Sequence, residues 1–294
     1  MIRILNMGSI NIDYVYAVPH FVQAGETLSA TSRQIFPGGK GLNQSIALAR
    51  SGGDVTHAGM AGSDGDFLIT LLRDAGVDTS LIAQSSGPSG HAIIQVSPDG
   101  QNNILLFPGA NSKLDEDFVD KALSSFGKGD ILVMQNEVSC VGYAIESAKA
   151  KGMDIAFNPS PFGPEIASYP LELVDWWLLN EIEGQALTGE SDPEDILQAM
   201  GGLYPNAVVV LTLGENGVIC LSEGNVLRQA SRKVVAVDTT AAGDTFTGYF
   251  ISAIAAGKAI KDALNIASLA ASVSVTRKGA AISIPHIEEI LPND

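Results

Sequence analysis

The sequence predicts an α/β fold built on a largely parallel sheet. Short apolar, buried-type runs recur at residues 131–134, 154–157, 176–179 and 207–211, and helical segments alternate with them. Two earlier β-rich pieces break that alternation and read as an inserted lid.

The elements follow in order. Residues 3–8 form a short strand that ends at Gly8. Residues 28–36 and 90–107 alternate polar and apolar side chains; in the second piece, 93–96 turns at Pro98-Asp99-Gly100 and returns through 104–107, a hairpin. Between them, residues 42–51 read as a helix stopped by Gly52-Gly53, and 66–74 as another stopped near Gly76. Helices at 116–126, 142–151 and 193–203 then precede the strands at 131–134, 154–157 and 207–211. The valine-rich run 234–238 reads as a strand ending at Asp238, with a helix starting near Asp244. There is no internal repeat and no low-complexity linker. The expected organisation is one catalytic domain over residues 1–294, with lid segments at about 14–36 and 90–108.

Composition narrows the function. The 294 residues carry 17 basic and 33 acidic side chains, a net charge of −16 that disfavours nucleic acid as a partner. The acidity is uneven: residues 152–227 hold 12 Asp and Glu and no Lys or Arg. Cys140 and Cys220 are too far apart for a metal knuckle and too few for a disulfide framework, so both are expected as buried free thiols. No apolar run reaches the ~18 residues of a membrane span. The N-terminus lacks a signal-peptide layout, and a cytoplasmic location is expected.

Several catalytic motifs are missing. The Gly39/Gly41 and Gly127/Gly129 pairs are followed by Gln44 and Leu132 where a dinucleotide fingerprint needs glycine. There is no Walker A loop, no Gly-x-Ser-x-Gly elbow, and His20, His57, His91 and His286 are scattered.

Three segments remain. In Asp238-Thr239-Thr240-Ala241-Ala242-Gly243-Asp244, small side chains leave backbone N–H groups open ahead of a helix, which suits a phosphate. An aspartate there repels an anion, but makes sense as acceptor of the proton from a hydroxyl attacking that phosphate; an ordinary helix N-cap is the alternative. Pro37-Gly38-Gly39-Lys40-Gly41-Leu42-Asn43 allows close backbone approach to a ligand, with Lys40 and Asn43 as donors. Gly8-Ser9-Ile10-Asn11-Ile12-Asp13 places an amide and a carboxylate at a strand end, either a clamp for vicinal hydroxyls or an Asx-turn.

Together these segments resemble the PfkB carbohydrate kinase family, and within it the ribokinases. The likeness extends in order through Met134-Gln135-Asn136-Glu137, Asn180-Glu181-Ile182-Glu183, Thr212-Leu213-Gly214-Glu215-Asn216-Gly217 and Val275-Thr276-Arg277-Lys278-Gly279. It implies the family's three-layer α/β/α sandwich with a small β-sheet lid that closes over the sugar and often forms a dimer interface. It also implies an ATP-dependent sugar kinase that makes D-ribose 5-phosphate. Alternatives are a kinase of 2-deoxyribose, fructose, a keto-deoxy sugar acid or a nucleoside, or a non-catalytic sugar-binding protein.

By the same resemblance Asn11, Asp13, Gly39, Lys40, Gly41, Asn43 and Glu137 match sugar contacts, Asp244 the catalytic base, and Ala241, Ala242 and Gly243 the anion hole. Asn180, Thr212, Gly214, Gly217 and Gly243 match nucleotide contacts, and Glu183 an indirect Mg²⁺ role. Asp238, Thr240, Ser274, Arg277, Gly279 and Ser283 match a site for an activating monovalent cation such as K⁺. Ser268 departs, standing where many relatives place Asn or His against adenine. The basic-free stretch contains Asn180, Glu183 and Thr212, so phosphate charge must be met there by amides and metal ions.

Overall fold

The computed structural model describes residues 2–291. The chain lays down strands β1 (Arg3–Met7), β2 (Asn11–Ala17) and β3 (Ser32–Gly38), then helix α1 (Lys40–Arg50), β4 (Asp54–Ala61), α2 (Asp66–Asp74) and β5 (Asp78–Gln84). A hairpin follows, β6 (Gly90–Val96) and β7 (Asn102–Phe107), then α3 (Glu116–Leu123), β8 (Ile131–Gln135), α4 (Val141–Ala150) and β9 (Asp154–Asn158). The second half adds β10 (Trp176–Asn180), α5 (Glu181–Thr188), α6 (Pro193–Leu203), β11 (Val208–Thr212), β12 (Val218–Ser222), β13 (Asn225–Gln229), α7 (Ala242–Ala255) and α8 (Ile260–Ser274).

Nine strands form one sheet in the order β13-β12-β11-β10-β9-β8-β1-β4-β5. It is parallel from β11 to β5, and only β12 and β13 run antiparallel at the edge. Buried apolar side chains lie on both faces, as a parallel sheet covered on both sides requires. On one face Leu42, Ile46, Tyr249 and Phe250 pack α1 and α7 against the sheet. On the other, Leu132, Ile155, Trp177 and Val209 meet α3, α4 and α6. The strand order reverses where β1 lies between β4 and β8, and such a switch point opens a crevice at the carboxyl ends of the strands. Gly8, Gln135, Asn158, Asn180 and Thr212 all stand at those ends.

A second sheet, in the order β3-β2-β6-β7, leads at Gly38 into the glycine turn before α1. The first β-rich piece of the sequence becomes a strand only from Ser32, and runs on to Gly38. Strand β2, paired with β3 and β6, starts at Asn11, so Asn11 and Asp13, read as a strand end, are the first and third residues of a new strand.

The run 234–238 is not a strand. Val237 N–H bonds to Val275 O at 2.7 Å, in the loop after α8, and residues 234–238 join neither sheet. Val235 is 85% exposed. Val234 and Ala236 of this run line the rim of a cleft instead of a ladder. Both cysteines are free, but Cys140 is only half-buried, unlike Cys220. No described helix is long and apolar enough to cross a membrane.

Candidate active site

Two helix starts converge over the sheet's carboxyl edge. The first is α1, whose N-cap Gly39 takes φ 93°, a left-handed value that favours glycine. Gly41 is required for a different reason: a Cβ there would lie 2.4 Å from Ser9 N and 2.5 Å from Gly8 C, both backbone atoms. That contact lets Leu42 N–H bond to Ser9 O at 2.9 Å and locks the glycine turn to the end of β1. The second is α7, which begins at Ala242, two residues before Asp244. Its N-cap Ala241 has φ 60°. The Ala242 amide closes a turn on Thr239 O at 3.2 Å, while the amides of Gly243 and Asp244 lie in the first helical turn, where no intrahelical carbonyl is available.

The helices cross closely because Gly248 faces Ala47 and Leu48, where a Cβ would meet Ala47 Cβ at 2.4 Å. This brings α1 side chains onto Asp244, which is buried. Asn43 Nδ2 donates to Asp244 Oδ2 at 3.0 Å and Gln44 Nε2 to Oδ1 at 2.9 Å.

Glu137, just past β8, accepts from Lys40 N at 2.9 Å and from the Ser9 hydroxyl. Asp13 on β2 lies against the backbone of Gly38, and Asn11 against Gly39. Burial, with Glu137 nearby, pushes the Asp13 carboxyl up to about 6. Burial likewise raises Glu137 despite Lys40 and its hydrogen bonds. Burial alone would lower the Lys40 ammonium, but the carboxylates of Asp244, Glu137 and Glu183 outweigh it and hold it above its usual value. A charged lysine thus stands amid three carboxylates beside the open amides of α7.

Asn180 and Glu183 form a capping box at the start of α5. Asn180 Oδ1 accepts from Glu183 N at 3.0 Å, and Glu183 Oε2 from Asn180 N at 3.0 Å. The Asn-x-x-Glu spacing therefore has a helix-capping reason of its own. Even so, both residues line a space of about 230 Å³ together with Lys40, Thr212, Gly243 and Asp244. Thr212, Gly243 and Ala242 also line a larger cavity of about 700 Å³, which continues past Gly214, Gly217 and Ser268 to Val275.

Asp238 accepts from Thr240 N at 2.9 Å and Oγ1 at 2.6 Å, and from Gly279 N at 2.9 Å. Burial opposes its ionisation, yet these bonds and Lys278 hold its carboxyl below the usual range. Ser274 and Ser283 are buried in the same region, with hydroxyls bonded to Ala271 O and Ala280 O. The Arg277 guanidinium turns away to Glu289, so only its backbone remains for this loop. Among the described residues, no three His, Cys, Asp or Glu side chains converge as a metal site.

The model of the pfkB family of carbohydrate kinases matches residues 1–287. The chain belongs to this family. A ribokinase from Haemophilus influenzae is 38% identical over 294 residues, spanning 97% of this chain and 96% of the relative. A deoxyribokinase from Salmonella typhi is 32% identical over 293 residues, spanning 96% and 95%. The structure of Arabidopsis thaliana ribokinase complexed with ribose and ATP superposes with a TM-score of 0.86 at 29% identity, covering 99% of this chain and 97% of that one. In this family member, reading the sequence missed Gln44, Gln135, Asn6 and Asn111 as parts of the site. The available signal was a polar residue inside an apolar strand (Asn6) and three successive polar residues on a buried helix, Asn43-Gln44-Ser45.

Proposed function

We propose that the protein transfers the γ-phosphoryl group of ATP to the primary 5-hydroxyl of D-ribose, giving D-ribose 5-phosphate and ADP. The observation that carries this reading is the placement of the Asp244 carboxylate. It stands beside the open amides of α7, between the polar cluster of Asn11, Asp13, Asn43 and Glu137 and the long cavity behind Gly243. Asp244 takes the proton from the 5-hydroxyl as its oxygen attacks the γ-phosphorus, and ADP leaves. The Gly243 and Asp244 amides and the Lys40 ammonium meet the charge on the transferring group. Phosphoryl transfer asks a protein for positioning and charge neutralisation, and these residues supply both.

Ribose lies against Asn11, Asp13, Gly39, Gly41, Asn43 and Glu137, and the nucleotide along Asn180, Thr212, Gly214, Gly217 and Ser268. Asn111 Nδ2 donates to Asn11 Oδ1 at 2.7 Å, so Asn11 offers the sugar its NH₂ group. Asp13 offers an acceptor. Beside Lys40, Glu183 fits a magnesium ion bound mostly by phosphates and water, and that ion would neutralise phosphate charge. The loop of Asp238, Thr240, Ser274, Arg277, Gly279 and Ser283 fits a monovalent cation such as K⁺, with the carboxylate of Asp238 already ordered. Measuring ADP release with ribose, 2-deoxyribose and fructose, with and without Mg²⁺ and K⁺, tests the proposal. Ribose with both ions is expected to be fastest. Faster turnover of 2-deoxyribose would favour the second reading, which the 32% identity to a deoxyribokinase supports; full activity on metal-free ATP would contradict the magnesium role.

We also propose a cytoplasmic homodimer joined through the lid. The outermost lid strand, β7, is exposed at all six of its residues, and Ile104, Leu105, Leu106 and Phe107 are among them. An exposed apolar edge strand is a liability unless something covers it. Sedimentation at micromolar concentration is expected to give a dimer, and Leu105→Lys a monomer; a monomeric wild type would overturn this.

A further inference from the structure

Behind the Asp244 carboxylate runs a continuous chain of buried polar side chains drawn from four different elements. Gln44 Oε1 accepts from Gln135 Nε2 at 2.7 Å, and the same amide nitrogen donates to Asn6 Oδ1 at 2.9 Å. Asn6 Nδ2 donates to Gly41 O at 2.8 Å and to Ser45 Oγ at 2.7 Å. The Ser45 hydroxyl lies 2.7 Å from His57 Nδ1. Asn6, Gln44, Ser45, Gln135 and His57 are at most 1% exposed. Burial pushes the His57 imidazole down to about 4, so the far end of the chain is uncharged over the working range.

The direction of every amide in this chain follows from its fixed ends. A carboxylate only accepts, so Gln44 must turn its NH₂ to Asp244 and its carbonyl to Gln135. The Gly41 carbonyl likewise only accepts, so Asn6 must turn its carbonyl to Gln135. Two carbonyl oxygens therefore converge on one NH₂, which has one hydrogen for each. This leaves Gln135 Oε1 without a hydrogen-bond partner. That oxygen is packed against Gly8, where a Cβ would come within 2.2 Å of it. Leaving a buried acceptor unpaired is costly. An apolar core would avoid that cost, so the arrangement asks for a use.

We propose that Gln44 is a positioning residue for phosphoryl transfer: it holds the Asp244 carboxylate from behind, and Gln135 and Asn6 lock Gln44 in place. The inference rests on Asp244 being the base. With Asn43 on one oxygen and Gln44 on the other, the carboxylate plane is fixed before substrate arrives. Its remaining lone pairs can then point to a hydroxyl without any search among rotamers. Because Asn43 and Gln44 sit on the helix that begins at the glycine turn, the sugar-side backbone and the base are set by one rigid element. Gln135 ties that element to the main sheet, and Asn6 repeats the tie from β1.

The test compares Gln44→Met, Gln44→Glu and Gln135→Leu with Asp244→Asn in the full-length enzyme. Gln44→Met keeps the shape and removes the donor. Its kcat is expected to fall about 10- to 100-fold, as a misplaced reacting group costs, with the sugar KM and calorimetric sugar affinity within about threefold. Gln135→Leu frees the Gln44 carbonyl and is expected to cost about three- to tenfold in kcat by the same loosening. Gln44→Glu sets a second carboxylate against Asp244, where two like charges resist ionising together, so the acid limb of the kcat–pH profile moves to higher pH. That shift reports contact between position 44 and the base, whereas a kcat loss at unchanged sugar KM in Gln44→Met and Gln135→Leu reports the positioning. If Gln44→Met is too unstable to assay, Gln135→Leu decides: wild-type kcat there would overturn the positioning role. Wild-type kcat in Gln44→Met, or an unshifted acid limb in Gln44→Glu, would overturn the positioning role while Asp244→Asn remains inactive. Activity in Asp244→Asn would instead remove the base assignment itself.

Discussion

Asp244→Asn is expected to lower kcat by about 10³-fold, near the middle of the range for losing a general base. An amide cannot take the proton of the attacking hydroxyl, so chemistry slows while the groups proposed to hold the sugar, on β2 and the glycine turn, stay where they are. Sugar affinity is therefore expected to remain within a few-fold of wild type. One structural cost accompanies the change. Both oxygens of Asp244 receive amide donors, from Asn43 at 3.0 Å and Gln44 at 2.9 Å. An asparagine brings one acceptor and one donor, so one of those amides must face a donor or turn away. A stability loss of about 1–2 kcal/mol follows from that single unpaired contact. Stopped assays of ADP release, paired with calorimetric ribose binding, check both statements. Retention of more than a few per cent of turnover would show that another group accepts the proton.

Asp13→Asn is expected to stabilise the protein above neutral pH and to weaken sugar binding. The Asp13 carboxyl titrates near 3.8 when unfolded and at about 6 in the native site, because burial and Glu137 oppose its charge. Below about pH 3 both states are protonated and the site carries no penalty. Between about pH 4 and 6 the unfolded chain loses its proton first, so stability falls as pH rises. Above 6 the whole cost is present, on the order of 3 kcal/mol for two pKa units. Asparagine never ionises and escapes that cost. Its advantage in urea unfolding should therefore be largest at pH 8 and absent at pH 3. An advantage that does not change with pH would refute this account.

The cost has a functional side. An ionised acceptor binds hydroxyls about twice as strongly as a neutral one. The sugar KM of the wild type is thus expected to rise as pH falls below about 6, and that of Asp13→Asn to be high throughout. Stability lost in the empty site is recovered as binding, the usual trade at a functional position.

How much of this was legible in the sequence depended on the range of the forces involved. The parallel sheet was readable because burial on both faces leaves short runs such as Ile131-Leu132-Val133-Met134 almost wholly apolar. The helix over Pro193–Leu203 was readable to its end residues, since Asp192 caps it and Pro193 opens it. The glycine turn and the Ala241-Ala242-Gly243-Asp244 segment stood out because close backbone approach excludes most side chains. Residues 234–238 misled because a valine-rich run reports only β-propensity; here residues 234–237 are exposed, with Val234 and Ala236 at the rim of a cavity. Asn-Glu-Ile-Glu was legible as a motif, but its local role as a capping box came from hydrogen bonds that spacing alone leaves open.

The sequence by itself determined the fold class, the family and the chemical types brought together: a carboxylate at a helix start, backbone amides there, a lysine in a glycine turn, and an amide and a carboxylate on one short segment. These follow from local rules, in which each residue's neighbours along the chain limit what it can do. Only the tertiary structure decided how those groups act on one another. Asp244 and Gln44 are 200 residues apart and meet because Gly248 lets α7 rest on α1. Lys40 is held charged, and Asp13 is raised, by groups that folding brings near and by water that folding removes. Charge, orientation and burial are properties of the assembled site, because electrostatic interactions depend on distance in space and on the surrounding medium, and the order of residues in the chain sets neither directly.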